Sequence, residues 1–322
     1  MPTDSAPTRA ARLHAHGKPL VVEEVELAAP GEDEVVVEMA YGGVNPVDRY
    51  VAEGRMAPDG PLPRTLGMEG TGRVVGDGRP VLVQGRGLGA KREGTWAERM
   101  VAPRAALTDI PSGVDLAEAA AMGVAGVTAW QTATELARVT ADDRVLVLGA
   151  SGGVGSMLVS LCRSIGARVW GQTGNPGKAP FVTDQGAEEV VSTVAPQDLA
   201  AAVAPLAPTV VFDALGDGFS AAAVEALAPF GRLVSFGVSA GPMAEINMQS
   251  LYRKGLTAFG YGGLSEPEER MAAGKAAALA ALADGRLRVV LADVLPLGRV
   301  NDAFAALVDR AVTGKIVLDL HR

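Results

Sequence analysis

Arg144-Val-Leu-Val-Leu-Gly-Ala-Ser-Gly-Gly-Val-Gly-Ser156 is the stretch that decides the fold. The apolar run Val145–Leu148 predicts a buried strand, the glycines after it a tight loop, and Val154–Ile165 an amphipathic helix opening from that loop. This geometry brings backbone N–H groups up to a pyrophosphate at a helix N-terminus. The spacing is Ala150-x-Gly152-x-x-Gly155, so an alanine stands where the dinucleotide fingerprint has its first glycine. A bare glycine match is weak, because such turns also occur in proteins that bind nothing. Ala167-Arg-Val-Trp-Gly-Gln-Thr173 follows as a second strand and completes a strand-helix-strand unit. In that context the loop predicts a bound dinucleotide.

The end of the second strand bears on which dinucleotide. A cofactor with a free ribose 2′-hydroxyl usually meets an acid about 20 residues beyond the glycines. The segment Gly171-Gln-Thr-Gly-Asn-Pro-Gly-Lys178 has none. Thr173 and Asn175 have donors for a 2′-phosphate, Gly174 shares their turn, and Lys178 adds a charge. For Lys178 alone, an ordinary solvated lysine is an equal reading. The missing acid favours NADP over NAD.

Composition narrows the rest. A chain of 322 residues suits two domains, and 48% hydrophobic with 20% charged residues is ordinary for a globular protein. A net charge of -8 disfavours nucleic acid and anionic membrane as partners, and with 4% aromatics base-stacking platforms are not expected. No apolar run reaches the roughly 18 residues that span a bilayer. The opening Met1-Pro-Thr-Asp-Ser-Ala-Pro-Thr8 is polar and resembles no targeting segment, and a cytoplasmic location is expected. The single cysteine, Cys162, falls on the apolar side of the glycine-loop helix and reads as a core thiol. The three histidines, His14, His16 and His321, lie at the chain ends. With one cysteine and no interior imidazole, neither a tetrahedral zinc site nor a Cys/His nucleophile can be assembled. None of Tyr41, Tyr50, Tyr252 and Tyr261 has a lysine four residues on, so the Tyr-x-x-x-Lys device is missing too. The chemistry expected is hydride transfer with the cofactor as reagent.

Along the chain, Val21–Leu27, Glu34–Ala40, Gly72–Val75, Pro80–Val83 and Thr95–Val101 read as strands between dense Gly and Pro turns. Asp115 with Glu118 three residues later reads as the capped start of a helix. From Val145 strands alternate with helices: Val145–Leu148, Arg168–Gln172, Glu189–Ser192, Val210–Ala214, Gly231–Phe236 and Leu256–Phe259. That alternation predicts an α/β fold with a Rossmann-like, doubly wound parallel sheet. Pro267–Ala283 reads as a helix; Arg288–Ala292 and Lys315–Leu320 read as strands that return to the first domain. The expected division is residues 1–124 and 263–322 as a β-rich domain and 125–262 as the dinucleotide-binding domain.

The chain resembles the medium-chain dehydrogenase/reductases, specifically the zinc-independent quinone oxidoreductase (zeta-crystallin-like) and enoyl reductase branch. The resemblance rests on Gly43-Val-Asn-Pro-Val-Asp-Arg-Tyr50, Leu66-Gly-Met-Glu-Gly-Thr-Gly72, Gly94-Thr-Trp-Ala-Glu-Arg-Met-Val101 and Ala119–Trp130, then the glycine loop. Phe212-Asp-Ala-Leu-Gly216, Gly231–Gly237 and Gly314-Lys-Ile-Val-Leu318 follow in family order. It implies a GroES-like catalytic domain built from both chain ends around a central Rossmann domain, and a homodimer paired through Leu256–Phe259. Where zinc-bearing relatives carry ligands, this chain matches with Asn45, Met68 and Val124, which is no zinc set. No metal is therefore expected. Without a Lewis acid, alcohol oxidation is disfavoured, while quinones and α,β-unsaturated carbonyls spread the arriving charge themselves.

By the same resemblance Asn45 faces nicotinamide and substrate, with a plain turn at Asn45-Pro46 as the rival reading. Tyr50 lines the same cleft as hydrogen-bond or proton donor, or is packing. Asp48 and Glu69 organise loops. Thr128 lies near the cofactor or caps a helix N-terminus. Gly152, Gly153 and Val154 contact the pyrophosphate by backbone. Leu215, Gly216, Phe236, Gly237 and Val238 sit at strand C-termini, where open α/β sheets bind ligands. Lys315 reaches the cofactor phosphates or is a solvated strand-end lysine. The scarcity of aromatics leaves no obvious platform for stacking a quinone; Tyr50, Trp96 and Trp130 are the ring candidates, with core packing as the rival reading for Trp130. The expected activity is NADPH-dependent reduction of a quinone or enone. A pathway-specific reductase of acyl thioesters or polyketides stays open, as does a low-turnover NADPH-binding sensor or interaction protein.

Overall fold

The computed structural model describes residues 7–193 and 195–322, so the opening segment up to residue 6 lies outside the described residues. The chain first lays down β1 (Thr8–Leu13), β2 (Val21–Val25), β3 (Glu34–Val44), helix α1 (Pro46–Ala52), β4 (Arg64–Thr65), β5 (Glu69–Val74), β6 (Pro80–Gln84), β7 (Arg99–Pro103) and β8 (Leu107–Asp109). Helix α2 (Leu116–Trp130) comes next. Asp115 Oδ1 accepts from the amides of Ala117 and Glu118, which is the expected cap. Then come β9 (Arg144–Leu148), α3 (Gly153–Ile165), β10 (Arg168–Thr173), β11 (Glu189–Ser192), β12 (Val210–Asp213), β13 (Arg232–Ser235) and β14 (Thr257–Gly260). The chain closes with β15 (Leu291–Pro296) and β16 (Lys315–Asp319).

These elements form two compact units. One comprises Met1–Ala125, Glu268–Ala283 and Val289–Arg322; the other comprises Gly126–Pro267 and Asp284–Arg288. The segment Asp284–Arg288 belongs to the second unit because Arg288 donates its amide to Ser160 Oγ and a guanidinium N–H to the Asp184 carbonyl. This moves the strand expected at 288–292 to Leu291–Pro296, where it pairs in parallel with β16. The strand expected at Thr95–Val101 likewise starts later, at Arg99. Thr95 and Trp96 are held in a loop that donates its amides to the Gly67 and Leu66 carbonyls.

In the second unit, Val145 to Leu148 are completely buried, and a strand without a polar face has to be covered on both sides. It is an interior strand of a six-stranded sheet in the order β11-β10-β9-β12-β13-β14, parallel throughout. The strand order reverses between β9 and β12, so the C-terminal ends of those strands form the crevice where doubly wound sheets hold ligands. All six strands read from the alternation are present.

The first unit carries a three-stranded sheet, β2-β1-β4, and a seven-stranded sheet, β15-β16-β3-β5-β6-β8 with β7 on β3. In β3, Val35, Val37 and Met39 alternate inward against outward-facing Glu38. Trp96 is fully buried in this core; its indole N–H donates to the Gly43 carbonyl and its ring packs on Phe304. A Cβ at Gly42 or Gly67 would come within 2.4 or 2.5 Å of the Trp96 ring, so both glycines make room for it. Trp96 is a core residue and not a stacking platform. Trp130 lies half-buried under the Arg286 guanidinium at 5.4 Å.

Candidate functional site

The glycine loop of the second unit is shaped by two different constraints. Gly149 has φ +70°, a left-handed conformation that favours glycine. Gly155 approaches the preceding turn so closely that a Cβ would lie 2.3 Å from the Gly149 carbonyl oxygen. Gly152 is under neither constraint: a Cβ there would meet only the Gly149 oxygen, at 3.4 Å. It is the N-cap of α3, supplies no capping side chain, and leaves the first-turn amides, those of Gly153 and Val154 among them, without intrahelical partners. A helix N-terminus of this kind suits an anion. The loop is tied down by a residue that the sequence did not single out. Gln172 Oε1 accepts from the Gly149 amide at 3.1 Å, and its Nε2 donates to the Thr193 carbonyl at 2.6 Å. Only the place of Gln172 at a strand end pointed to it.

Beyond β10, the candidate 2′-phosphate residues divide. Thr173 is buried, with its hydroxyl 3.4 Å from Ser151 Oγ and within reach of the Asn175 backbone, so it braces the turn. Gly174 and Asn175 are exposed. Asn175 Oδ1 accepts from the Gly177 amide, which turns its Nδ2 away from the backbone it caps. Lys178 is half-buried, and desolvation lowers its ammonium pKa, a penalty that a neighbouring phosphate would offset.

At the end of β12, Asp213 is fully buried; its Oδ1 accepts from the amides of Leu215 and Gly216 at 2.8 and 3.1 Å, and its Oδ2 from Ser220 Oγ. Those two amides are thereby used internally. Side-chain atoms of Leu215 and Ala214 lie 3.5 and 3.6 Å from the Cβ that Gly149 lacks, which sets this turn beside the glycine loop. Phe236, Gly237 and Val238, at the end of β13, line a depression of about 450 Å³ together with Gly260 and Tyr261. Tyr261 donates its hydroxyl proton to Gln131 Oε1 at 2.7 Å. Thr128 lies two residues from the C-terminal end of α2 and its carbonyl accepts from Thr132 Oγ1, so the helix N-terminal capping reading is ruled out.

The first unit holds a buried polar network on residues the resemblance singled out. Glu69, Asn45 and Lys315 are 0%, 4% and 5% exposed. Lys315 Nζ donates to the Val44 carbonyl at 3.0 Å, to Asn45 Oδ1 at 2.5 Å and to Glu69 Oε1 at 3.0 Å. Asn45 Nδ2 donates to Glu69 Oε1 at 2.6 Å, and the Val124 amide donates to Glu69 Oε2. Room for the carboxylate comes from glycines: a Cβ on Gly43 would lie 2.3 Å from Glu69 Oε1, and one on Gly123 2.4 Å from Oε2. Lys315 is thus neither solvated nor placed at phosphates. An ammonium has three protons, and all three are committed here.

Asp48 lies beside this network. Its Oδ2 accepts from the Asn45 amide at 2.8 Å, the return half of a capping box for α1, and its Oδ1 accepts from the Met68 amide at 3.1 Å. Burial, reinforced by the Glu69 charge, pushes its pKa up to about 7. Tyr50, on α1, is half-buried and flanked by the guanidiniums of Arg49 and Arg55, 5.4 and 4.5 Å from its ring centre. Cys162 is buried, and burial raises its thiol pKa.

A zinc ion does not fit at Asn45, Met68 and Val124. The Asn45 oxygen already holds an ammonium, Val124 presents a backbone N–H, and the positive charge of Lys315 occupies the neighbourhood. Among the described residues no group of three or more His, Cys, Asp or Glu is arranged to hold a metal.

Known proteins resemble this chain in sequence and in fold. A family model described as an alcohol dehydrogenase GroES-like domain matches residues 31–112, and one described as a zinc-binding dehydrogenase matches residues 153–280. Quinone oxidoreductase-like protein 2 of Bos taurus is 30% identical over 97% of this chain and 92% of its own length. Among solved structures, an NAD-dependent alcohol dehydrogenase is 27% identical with a TM-score of 0.85, covering 97% of this chain and 99% of its own. A mycobacterial protein complexed with NADPH is 25% identical with a TM-score of 0.84 over the same shares.

Proposed function

Because the chain belongs to the medium-chain dehydrogenase/reductase superfamily, in its quinone oxidoreductase branch, we propose that it is an NADPH-dependent, zinc-independent reductase of quinones or α,β-unsaturated carbonyls. The observation that carries this reading is the Lys315 ammonium among the residues that match the zinc-ligand positions. With that charge in place an alcohol has no Lewis acid to lower its pKa, whereas a conjugated acceptor needs none.

The residues of the second unit fit NADP. The first-turn amides of α3, from Gly153 and Val154 beside the bare Gly152, hold the pyrophosphate. Asn175 and Lys178 take the 2′-phosphate, with Thr173 and Gly174 shaping the turn. Leu215, Gly216, Phe236, Gly237, Val238 and Thr128 line the remainder. When bound, the dihydronicotinamide supplies a hydride. In the first unit Asn45 has an N–H for the acceptor's oxygen, and the proton that completes the reduction comes from solvent or from Tyr50. Two copies pair through β14, the outer strand of the six-stranded sheet, where Thr257, Ala258 and Gly260 are exposed. A cytoplasmic location accords with the absence of any described helix long and apolar enough to cross a membrane.

The test is NADPH oxidation, followed by absorbance, across quinones, enones and enoyl thioesters. Turnover with quinones or simple enones is the expected result. Turnover restricted to one thioester would replace this reading with a biosynthetic enoyl reductase, and tight NADPH binding without turnover would make the protein a sensor. Sedimentation of the purified protein tests the dimer, which a monomer at all concentrations would exclude.

A further inference from the structure

The two ends of the Asn45 side chain differ chemically, and its neighbours dictate which end goes where. The Lys315 ammonium has donors only, so it has to meet the amide oxygen, as it does at 2.5 Å. The Glu69 carboxylate meets the amide nitrogen, at 2.6 Å. An amide flip would press NH₂ against an ammonium and a carbonyl against a carboxylate, exchanging two attractions for two repulsions. The pocket is cut to this arrangement, since Gly43 and Gly123 both lack the Cβ that would collide with Glu69. Of the two Nδ2 protons, one goes to Glu69, and the other has no partner among the described residues.

We propose that Lys315 and Glu69 are positioning residues that lock the Asn45 amide so that it presents an N–H, never a carbonyl, to the oxygen of the bound acceptor. The inference rests on the proposed function and assigns a role to two residues that touch no acceptor themselves. Hydride arriving at the β-carbon of an enone pushes the π pair toward the carbonyl oxygen, which becomes an enolate oxygen. A proton from water then completes the reduction. An N–H aimed at that oxygen stabilises the charge as it builds, whereas a flipped amide would repel it. The ammonium therefore acts on the reaction through Asn45, by fixing which of its atoms faces out.

The experiment uses the full chain with NADPH and 1,4-benzoquinone, and compares Asn45→Ala, the double variant Lys315→Met with Glu69→Gln, and the triple variant combining them. The double variant removes both charges together, so no buried charge is left unpaired to unfold the protein. Asn45→Ala and the double variant are each expected to lose about 100-fold in kcat, with NADPH affinity held within about twofold. The triple variant is expected to be no slower than Asn45→Ala, because residues that act through Asn45 have nothing to act on once it is gone. A triple variant slowed by the product of the two losses overturns the proposal. The lock is also read without turnover. The Asn45 side-chain amide protons, identified in NMR spectra by their loss in Asn45→Ala, should be shifted and slowly exchanging in the parent and resemble those of solvated asparagines in the double variant. Unchanged resonances there overturn the lock. A parent that consumes no NADPH with any acceptor sinks the functional reading instead, leaving the NMR comparison to decide on the lock.

Discussion

Lys315 and Glu69 form an ion pair at 3.0 Å with both side chains withdrawn from solvent, 5% and 0% exposed. Such a pair is costly to break from one side, because the remaining charge keeps its desolvation penalty and loses its compensation. Lys315→Met alone should therefore destabilise the fold by about 3–5 kcal/mol. Lys315→Met combined with Glu69→Gln should recover most of that loss. Urea unfolding at unchanged slope measures both. A single variant that costs less than about 1 kcal/mol would mean that the pair carries little of its charge into the folded state.

Gly152 and Gly155 should respond oppositely to the same methyl group. Gly155→Ala forces a carbon against the Gly149 carbonyl and should cost about 1–3 kcal/mol of stability. Gly152→Ala meets nothing closer than 3.4 Å, so its stability cost is confined to the N-cap preference for glycine over alanine, about 0.5–1 kcal/mol. It should still weaken NADPH binding at least about tenfold, close to 1.4 kcal/mol, by standing where the pyrophosphate approaches. Melting curves and a binding titration on the two variants separate these effects. Equal affinity in Gly152→Ala and the parent would remove the pyrophosphate from this loop.

Asp48 gives stability a pH dependence with a definite sign. Its folded-state pKa is raised to about 7, so between about pH 4 and pH 7 the native state holds a proton that the unfolded chain has released. Its contribution to stability is therefore most favourable at the acid end, declines across that window, and is flat above it. The full swing is up to about 4 kcal/mol. Other carboxylates titrate in the same range, so the measurement is the difference between the parent and Asp48→Asn at each pH. That difference should shift in favour of the variant as pH rises from 4 to 7. A constant difference would show that Asp48 is ionised throughout.

Lys178→Ala should lower NADPH affinity about five- to tenfold, the loss of one charge-assisted contact, and leave NADH affinity unchanged. Parallel titrations with the two nucleotides decide it. Equal losses for both would put Lys178 away from the 2′-phosphate, and equal affinity of the parent for both would remove the preference for NADP altogether.

The glycine loop was legible because its constraints are local. A positive φ at Gly149, a close approach at Gly155 and an apolar strand just before them all fall within consecutive residues. The six parallel strands were legible for the same reason, each being a short apolar run bounded by turns. The Glu69 network was not, because it joins positions 45, 69, 124 and 315, and a charged residue in isolation defaults to a solvated reading. Lys315 was accordingly placed at phosphates or in solvent. The trace that the network leaves in the sequence is a pair of glycines inside the matched motifs, Gly43 and Gly123, which read as turn residues until the Glu69 carboxylate is seen between them. Trp96, a ring candidate by residue type alone, is core because Gly42 and Gly67 make room for its ring, a contact between distant positions. The strand at 291 was displaced because the apolar run Val289-Val290-Leu291-Ala292 fits either start, and only hydrogen bonds from Arg288 choose.

The burial of Cys162 has a chemical consequence under the proposed function, in which the acceptors are quinones or enones. Both classes are electrophiles that alkylate accessible thiolates. The sequence carries a single thiol, it lies in the apolar interior of α3, and its acidity is suppressed there. Such a chain offers electrophilic acceptors no accessible thiolate. It should survive prolonged exposure to such acceptors without covalent labelling at Cys162, and intact-protein mass after incubation with excess 1,4-benzoquinone would register any thiol adduct.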